Sequence, residues 1–429
     1  MLWSYYFDLA IVKKGVHIMR HHNAHSTDTL KGETVGIGVL GTGSRIAHII
    51  RNIPGFGDRI RVTALHDTHK EFVDLSLDSY APDAIVYDDY NELVRDPSVD
   101  WVLIGSWNRL HAAQAIAAFE AGKHVFCEKP LATTLEDTLA MRAAHRRAGT
   151  LFMIGFTLRY SPHYRRIKEI VSSGTIGSIV SMEFNETLDF NHGGYIHSDW
   201  RRLRELAGSH LLEKCSHDLD VANWITGSLV SRVASFGGLR FFVPENVYHQ
   251  ERIGPDPETG RPAFQTWRNE RNPFTCNKDI VDHQVAILEY ANGIRATFHT
   301  NCVAGIPERR MYIVGSEGTI RSDVIPGTIE VRRYGWNTEV ENYDSGASES
   351  HGGGDEVLVQ SLSDVMLNGS QPPTSLEDGL TSAVTAFAID DAMELGTVVD
   401  MAPYWDRVEA DAPSERIRPT DAYPTGTTS

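Results

Sequence analysis

The sequence predicts an α/β protein of two domains, a doubly wound parallel sheet followed by an α/β domain with an open, mostly antiparallel sheet. Its 429 residues exceed what one compact core holds and suit two domains. Up to about residue 155, short apolar runs alternate with helical segments and glycine turns, as in a parallel sheet covered on both faces. Later strand-like segments alternate apolar and polar residues, which favours antiparallel strands.

The first half of the chain repeats a strand, a turn and a helix. Its predicted strands are short apolar runs at 35–40, 61–66, 100–104 and 124–127. Helices are predicted at 44–53 and 111–121, the second rich in alanine and ended by Gly122. These elements assign residues 34–155 to the first domain.

The second half favours strands at 179–185, 232–236, 284–290, 295–299, 311–315 and 328–333, with helices at 163–173, 213–226 and 355–368. Asn292-Gly293 lies between two of the strands and is typical of a hairpin turn. We assign residues 156–402 to the second domain. Within it, 244–280 is predicted to be a long insertion loop that serves as a lid or an oligomer contact. Residues 403–429 are predicted to form an extended C-terminal tail.

Composition excludes several classes of partner. A formal net charge of −17 argues against binding to nucleic acid or to an acidic membrane, since both need a basic surface. The four cysteines, at 127, 215, 276 and 302, form no CxxC pair. We therefore expect no metal site and no disulfide framework, and we place the protein in the cytoplasm.

Residues 1–33 read as an N-terminal extension that is either disordered or wrongly included. The apolar stretch 2–12 is too short to span a bilayer and lacks the flanks of a secretory signal. Met19 precedes a polar, histidine-rich segment. We hypothesise that translation begins at Met19, and the intact mass of the native protein tests this.

A glycine turn follows the first predicted strand and opens the first helix. It runs through Gly41, Thr42, Gly43, Ser44, Arg45 and Ile46. Gly41 permits the tight turn, and Gly43 lets the backbone approach a pyrophosphate at the N-terminus of the helix. This context predicts the dinucleotide-binding turn of a Rossmann domain. Ile46 stands where a third glycine is usual, and we expect the small Ala47 to restore room for packing.

Asp67 ends the second predicted strand, 24 residues after Gly43. An acid near this position can bind the ribose hydroxyls of the dinucleotide. Because a carboxylate repels a 2′-phosphate, Asp67 favours NAD. His69 and Lys70 keep NADP open as the less favoured cofactor.

Three segments carry a family resemblance: Asn108-Arg-Leu-His111, 121–131 with Glu128-Lys129-Pro130 at its centre, and 155–163. Together they strongly resemble the Gfo/Idh/MocA family of sugar and cyclitol oxidoreductases, over about residues 34–402. The resemblance implies a Rossmann domain followed by an α/β domain with an open sheet. It further implies a carbohydrate substrate bound between that sheet and the nicotinamide, and a homodimer or homotetramer formed through the sheet.

Lys129 is the first candidate catalytic residue. At the end of a parallel strand its ammonium faces the crevice where a doubly wound sheet binds ligands. There it can hydrogen-bond a hydroxyl being oxidised and stabilise the developing alkoxide. Pro130 sets the turn that aims it, with a cis peptide bond as one way to do so.

His217 is the second candidate. The family commonly carries Asp-x-x-x-His here, and Glu213 stands in the place of the aspartate. Histidine is the natural general base for a sugar hydroxyl. The spacing leaves open whether Glu213 orients His217 or whether Lys214 has taken part of that role. We expect Asp220 to be a structural partner.

The predicted cofactor contacts follow the turn, the strand ends and the motifs: Gly41, Thr42, Gly43, Ser44, Arg45, Ile46, Asp67, Ser106, Trp107, Asn108, His111, Glu128 and Lys129. The predicted substrate contacts are polar or aromatic residues of the second domain: Arg159, Tyr160, Trp200, Arg201, Arg202 and His351. The run from His351 to Asp355 lacks the lysine of a P-loop, so we expect a flexible entry to a helix that Asp355 caps.

These residues predict an oxidoreductase that transfers hydride between a secondary hydroxyl of a sugar, glycoside or cyclitol and NAD. Two alternatives stay open. One is an NAD-dependent, redox-neutral glycosidase, acting by oxidation, elimination, hydration and reduction, on an anionic sugar such as a sulfoquinovoside. The other is a non-catalytic NAD-bound regulator, which retention of both Lys129 and His217 disfavours.

Overall fold

A computed structural model describes residues 34–265, 271–347 and 350–410. The predicted extension 1–33 and the part of the predicted tail beyond residue 410 lie outside these ranges. The first domain contains six strands, β1 Val35–Leu40, β2 Ile60–His66, β3 Ile85–Val86, β4 Trp101–Ile104, β5 His124–Cys127 and β6 Phe152–Ile154. They form a parallel sheet in the order β3-β2-β1-β4-β5-β6. This is the predicted doubly wound sheet.

Five helices belong to this domain: α1 Ser44–Asn52, α2 Lys70–Ser79, α3 Tyr90–Leu93, α4 His111–Glu120 and α5 Leu135–Ala148. Every residue of β1 and β4 is buried, because helices cover both faces of the sheet. In the sheet, β2 lies on one side of β1 and β4 lies on the other, so the strand order reverses direction at β1. The carboxyl ends of β1 and β4 therefore border the crevice where such sheets bind ligands.

The second domain contains a nine-stranded sheet in the order β14-β13-β12-β11-β7-β10-β9-β8-β15. Its strands are β7 Ile179–Asp189, β8 Val230–Gly238, β9 His283–Tyr290, β10 Arg295–Ala304, β11 Arg310–Gly315, β12 Gly318–Asp323, β13 Thr328–Arg333, β14 Glu341–Asp344 and β15 Val399–Asp400. Only β7 and β10 pair in parallel, which confirms the predicted mostly antiparallel sheet.

The remaining helices are α6 Pro162–Ser172, α7 Phe190–Ile196, α8 Arg204–Ala207, α9 His210–Thr226, α10 Tyr248–Ile253, α11 Gly354–Asn368, α12 Leu376–Leu395 and α13 Ala402–Ala410. The long helix α12 was not predicted; it packs against α5, α9 and β8. The prediction of an extended chain from residue 403 is wrong up to 410, where α13 buries Trp405 and Val408. Nowhere in the described ranges is a helix both long and apolar enough to cross a bilayer.

The predicted insertion loop, 244–280, has a small core of its own in its described part. Phe264 and Phe274 of this segment pack with Phe242, which precedes it, and all three bury almost all of their surface. The segment is joined to α7 by the backbone amide of Phe264, which donates to Asn191 Oδ1 at 2.8 Å. This apolar cluster attaches the segment to the second domain.

His163, in the first turn of α6, is fully buried, and neither ring nitrogen has a hydrogen-bond partner among the described residues. Burial lowers the pKa of His163 to about 4, from an ordinary value of about 6.5. As the pH falls below that ordinary value, His163 binds a proton in the unfolded chain but stays neutral in the folded protein. Stability is therefore lost with acidification.

Replacing this imidazole removes that penalty. We expect His163→Leu to raise the free energy of unfolding by about 2 kcal/mol more at pH 5 than at pH 8, because the shift spans about 1.5 pH units there. Urea unfolding of both proteins at both pH values measures the difference. An equal effect at pH 5 and pH 8 would contradict the assignment of a neutral buried ring.

Candidate active site

The glycine turn lies at the crevice formed by the ends of β1 and β4. Gly41 has a φ of +82°, and a Cβ at this position would lie 2.4 Å from the backbone nitrogen of Ser106, in the loop after β4. Only glycine allows both this backbone conformation and this close approach. The turn predicted from the sequence is thus required by the fold.

Gly43 is the N-cap of α1, and no side chain caps the helix. A Cβ added at Gly43 meets no atom within 4 Å, so the space in front of the helix N-terminus is open. Free backbone N–H groups pointing into open space suit the pyrophosphate of a dinucleotide. The amides of Gly43 and Ser44 would hold that group, since those of Gly41 and Thr42 donate to His66 and Asp67.

Ile46 occupies the place of the third glycine of the fingerprint, and the structure shows how its bulk fits. A Cβ on Gly105, the residue after β4, would lie 2.7 Å from Cβ of Ile46. Gly105 therefore provides the room that we had expected from Ala47. The small residue thus lies at the facing strand end instead of in the helix, and helix and sheet still pack closely.

This exchange predicts a coupled pair of substitutions. We expect Gly105→Ala to destabilise the protein by about 1–3 kcal/mol through overpacking against Ile46, and to weaken NAD binding. The double variant Gly105→Ala/Ile46→Gly should lose less stability than the two single substitutions added together, because the crowded contact is absent from it. Thermal unfolding and NAD titration of the wild type, the two single variants and the double variant test this, and additive losses in the double variant would refute the contact.

Asp67 lies beside the turn, as predicted. Its Oδ2 accepts hydrogen bonds from the backbone amide of Thr42 at 2.7 Å and the hydroxyl of Thr42 at 3.2 Å. The amide of His69 donates to Oδ1 at 2.8 Å. Lys70, the cation that kept NADP open, pairs with Asp74 at 3.0 Å. The charge facing the turn is thus a carboxylate.

Lys129 follows β5, and its peptide bond to Pro130 is cis. Its Nζ donates to the main-chain oxygen of Glu213 and lies 3.4 Å from Oε1 of the same residue. Burial lowers the pKa of Lys129, with Lys214 and Arg201 adding to the effect and Glu213 opposing it. Because an ammonium has three donors, two contacts to Glu213 leave one N–H for a ligand.

His217 lies one turn after Glu213 on α9 and is 4% exposed. Its ring packs edge-on against Phe156, and its Nδ1 is buried without a hydrogen-bond partner in the part of the chain described. Burial lowers the pKa of His217 well below its ordinary value, and the charge of Lys129 lowers it further. The imidazole is thus neutral at physiological pH and able to accept a proton.

The structure answers the question that Glu213 and Lys214 left open. The carboxylate of Glu213 accepts a hydrogen bond from Arg201 Nε at 3.0 Å and pairs with Lys129, so it positions the lysine instead of His217. Lys214 lies 3.6 Å from Glu186 Oε1 and leaves Lys129 as the ammonium nearest to Glu213. Arg201 also covers the ring of Trp200, 4.4 Å from its centroid.

Arg309, absent from our predictions, lies against α9. It donates to both oxygens of Asp218, at 2.8 and 2.7 Å, and pairs with Glu186 at 3.0 Å. Glu186, Cys215 and Asp218 bring their potential ligand atoms within 4.8 Å of one another. The guanidinium supplies positive charge to the carboxylates of Asp218 and Glu186, while Glu186 Oε2 is buried without a hydrogen-bond partner among the described residues.

Arg45, predicted to contact the cofactor, instead joins the two domains. Its guanidinium binds Glu128 at 2.9 Å, Thr157 Oγ1 at 2.9 Å and Asp355 Oδ1 at 2.6 Å. Asp355 in turn pairs with Nδ1 of His351 at 2.8 Å. Asp355 does not cap α11 as expected, because Gly353 is the N-cap and its helix has no side-chain cap.

A second contact between the domains involves the loop after β4. Trp107 stacks on Trp200 with centroids 6.3 Å apart, and Asn108 Nδ2 donates to the carbonyl of Ala207 at 2.8 Å. Arg109 and Glu205 form an ion pair at 3.0 Å. Trp107 also meets His69 edge-on. The predicted residues Trp107 and Trp200 therefore pack against each other where the two domains meet.

Several residues predicted to contact the substrate or the cofactor bond to other protein groups. Arg159 donates to both oxygens of Asp220 at 2.7 Å and pairs with Asp378, which confirms Asp220 as a structural partner. Tyr160 is buried, with its hydroxyl on Thr374. The polar atoms of three more predicted residues likewise form hydrogen bonds to protein carbonyls or side chains: Arg202, His111 and the hydroxyl of Ser106. Local sequence does not reveal such distant partners.

Comparison with known proteins agrees with this geometry. The family model described as "Oxidoreductase family, NAD-binding Rossmann fold" matches residues 35–156, and the corresponding C-terminal domain model matches 164–321. The chain belongs to the Gfo/Idh/MocA family. This membership confirms the resemblance on which the roles of Lys129 and His217 rest, and it establishes the first domain as an NAD-binding fold.

Similar curated proteins include inositol 2-dehydrogenase of Gluconacetobacter diazotrophicus, 35% identical over 208 residues. That match covers 47% of this chain and 58% of the relative. Inositol 2-dehydrogenase/D-chiro-inositol 3-dehydrogenase of Shouchella clausii is 28% identical, with coverage of 85% and 93%. Among solved structures, levoglucosan dehydrogenase with NADH and levoglucosan has a TM-score of 0.69 at 21% identity, covering 86% of this chain and all of that one. This structural likeness shows the fold.

Proposed function

We propose that this family member oxidises a secondary hydroxyl of a neutral cyclitol or sugar, with NAD as the hydride acceptor. One observation carries the proposal: Glu213 holds the ammonium of Lys129 one helical turn from the buried, neutral imidazole of His217. A proton acceptor and a hydrogen-bond donor on neighbouring positions match the two needs of alcohol oxidation.

Each residue has a separate task in this reaction. The free N–H of Lys129 binds the substrate oxygen and stabilises negative charge as it develops. His217 accepts the hydroxyl proton, which its neutral ring can do at physiological pH. Arg201 and Glu213 hold Lys129 in place from behind. When bound, NAD supplies the electrophilic carbon that accepts hydride, and the protein supplies orientation and charge.

The choice of NAD over NADP is supported by the charge beside the turn. Asp67 faces the turn at the end of β2, and Lys70 is paired with Asp74. A 2′-phosphate would meet a carboxylate there and no unpaired lysine.

A neutral substrate is supported by how the cations at the site are paired. Lys129 and Arg201 bind Glu213, Lys214 lies against Glu186, and Arg309 binds Asp218. Each of these four cations already has a protein carboxylate. The arrangement favours a polyol over the anionic sugar of the glycosidase alternative, since a carboxylate or sulfonate binds best to an unpaired guanidinium. Names of relatives that act on inositols support the same class.

A paired assay tests the proposal. Purified protein is supplied with NAD and with myo-inositol, scyllo-inositol, neutral sugars, uronates or p-nitrophenyl glycosides. Absorbance at the NADH and p-nitrophenol bands is followed together. We expect one NADH per molecule of substrate oxidised with at least one cyclitol or neutral sugar. We expect no NADH when a uronate is the only substrate supplied. Release of p-nitrophenol without NADH would instead establish the redox-neutral glycosidase.

We further propose that a second copy of the chain packs on the outer face of the nine-stranded sheet. Four large apolar side chains on that face are exposed to solvent: Phe236 (71% exposed), Ile287 (58%), Val285 (44%) and Tyr312 (42%). Phe236 and Val285 are paired across neighbouring strands. Ion pairs such as Arg310 with Glu183 bring both charges to the face, so it can complement itself across a two-fold axis. We expect Ile287→Lys to convert a dimer or tetramer into a smaller species by light scattering. An unchanged mass would reject this face.

A further inference from the structure

His351 lies beside the site in a backbone conformation that its residue type rarely adopts. Its φ is +53° and ψ is +25°, and Gly352 and Gly353 continue at positive φ. A non-glycine residue in this region costs about 1–3 kcal/mol and persists where surrounding contacts impose it. Here Ser161 Oγ donates to the carbonyl of Gly352 at 2.9 Å and secures the turn. The fold thus holds the imidazole at a fixed place.

The tautomer of His351 follows from its partner. Nδ1 lies 2.8 Å from Oδ2 of Asp355, whose pKa is held far below its ordinary value by His351 and Arg45. An ionised carboxylate only accepts hydrogen bonds, so Nδ1 carries the proton. In the neutral ring Nε2 then keeps its lone pair. The pair has the arrangement of a base oriented by a carboxylate.

His351 also faces the proposed base. The two imidazole centroids are 5.8 Å apart at an interplanar angle of 54°. His217 is 4% exposed, whereas the side chain of His351 is 28% exposed. A proton accepted by His217 therefore starts in a closed pocket, and the neighbouring ring reaches solvent.

We propose that His351 carries the substrate proton from His217 to solvent, with Asp355 and Arg45 as positioning residues. This inference rests on the proposed alcohol oxidation. The substrate O–H bond breaks as an N–H bond forms on His217, and the hydride leaves separately to NAD. The imidazolium of His217 then loses its proton to Nε2 of His351, which releases it to water or buffer. Both rings return to neutrality.

Arg45 connects this path to the cofactor turn. It is the second residue of α1, immediately after the segment that would hold the pyrophosphate, and it binds Asp355 at 2.6 Å. The charged and titratable groups that face His351 are Asp355 from the helix that follows it, Arg45, Arg309 and His217. One rigid contact thus sets both the N-terminus of α1 and the orientation of the relay.

Kinetics of His351→Gly provide the first test. Glycine adopts positive φ freely, so the backbone turn is retained while the ring is lost. We expect kcat to fall about 10- to 100-fold, at the lower end of acid–base contributions, with KM for the alcohol nearly unchanged. Added imidazole should restore much of kcat. A matched control, His48→Asn on the exposed face of α1, should behave as wild type. Wild-type kcat in His351→Gly, or a loss that imidazole does not restore, would overturn the relay.

Nitrogen-15 NMR of the histidine rings provides a test that needs no substrate. In cofactor-free wild-type protein we expect His351 to be protonated at Nδ1 and unprotonated at Nε2 near neutral pH. The opposite tautomer of His351 would overturn the relay even if the alcohol oxidation is correct. Absence of any alcohol turnover, with the expected tautomer present, would instead reject the proposed function.

Discussion

Lys129→Ala is expected to lower kcat for NAD-linked alcohol oxidation by about 10³-fold, the scale of losing a group that stabilises transition-state charge. Two of the three N–H groups of the ammonium are directed to oxygens of Glu213, so the third is left to donate to the substrate oxygen. The affinity for NAD should change little, because the turn at Gly41–Ser44 and Asp67 carry that binding. Steady-state NADH formation and a separate fluorescence titration of NADH measure the two quantities.

The same strand offers a matched control. Lys123 precedes β5, and its ammonium binds the carbonyl oxygens of Asp96 and Val99 at the opposite end of the strand. Lys123→Ala should lower stability slightly and leave kcat unchanged. If Lys129→Ala retains kcat within tenfold of wild type, Lys129 is not the residue that stabilises the alkoxide.

His217→Asn is expected to reduce kcat by about 10²- to 10⁴-fold, the usual contribution of a general base. The pH profile of the wild-type enzyme gives an independent signature. His217 works unprotonated, and its pKa is lowered by burial, so activity is lost only as the pH falls through that lowered value. We therefore expect kcat/KM to stay high through pH 6, where an ordinary histidine is largely protonated.

The alkaline limb should come from Lys129, which works protonated. Because burial lowers its pKa, activity should decline as the pH rises through a value below the 10.5 of an ordinary lysine. Rates from pH 5 to pH 10 in constant ionic strength test both limbs. An acid limb centred at or above pH 6.5 would contradict the buried neutral state of His217, and its persistence in His217→Asn would assign that limb to another group.

Much of the fold follows from short-range patterns in the chain. Apolar runs mark β1 and β4, and alternation marks β9 and β10. Helix α12 was not predicted, because it is buried on most of its circumference against α5, α9 and β8. Its apolar residues therefore do not form a single stripe along one face. Periodicity detects an element only when one face is solvated.

By itself the sequence determined the glycine turn, the acid at Asp67 and the two catalytic candidates, Lys129 and His217. These are recognisable because each depends on residue type and local spacing: a positive φ, a strand end, one helical turn. Membership in the Gfo/Idh/MocA family follows from the same motifs.

Only the tertiary structure decided which charges neutralise one another. Arg159 was predicted to contact the substrate and is half of a buried ion pair with Asp220, 61 residues away. Arg45 looked like a cofactor ligand and instead binds Asp355, 310 residues along the chain. The partner of a buried charge is selected by proximity after folding, and long side chains of the same type look alike in sequence.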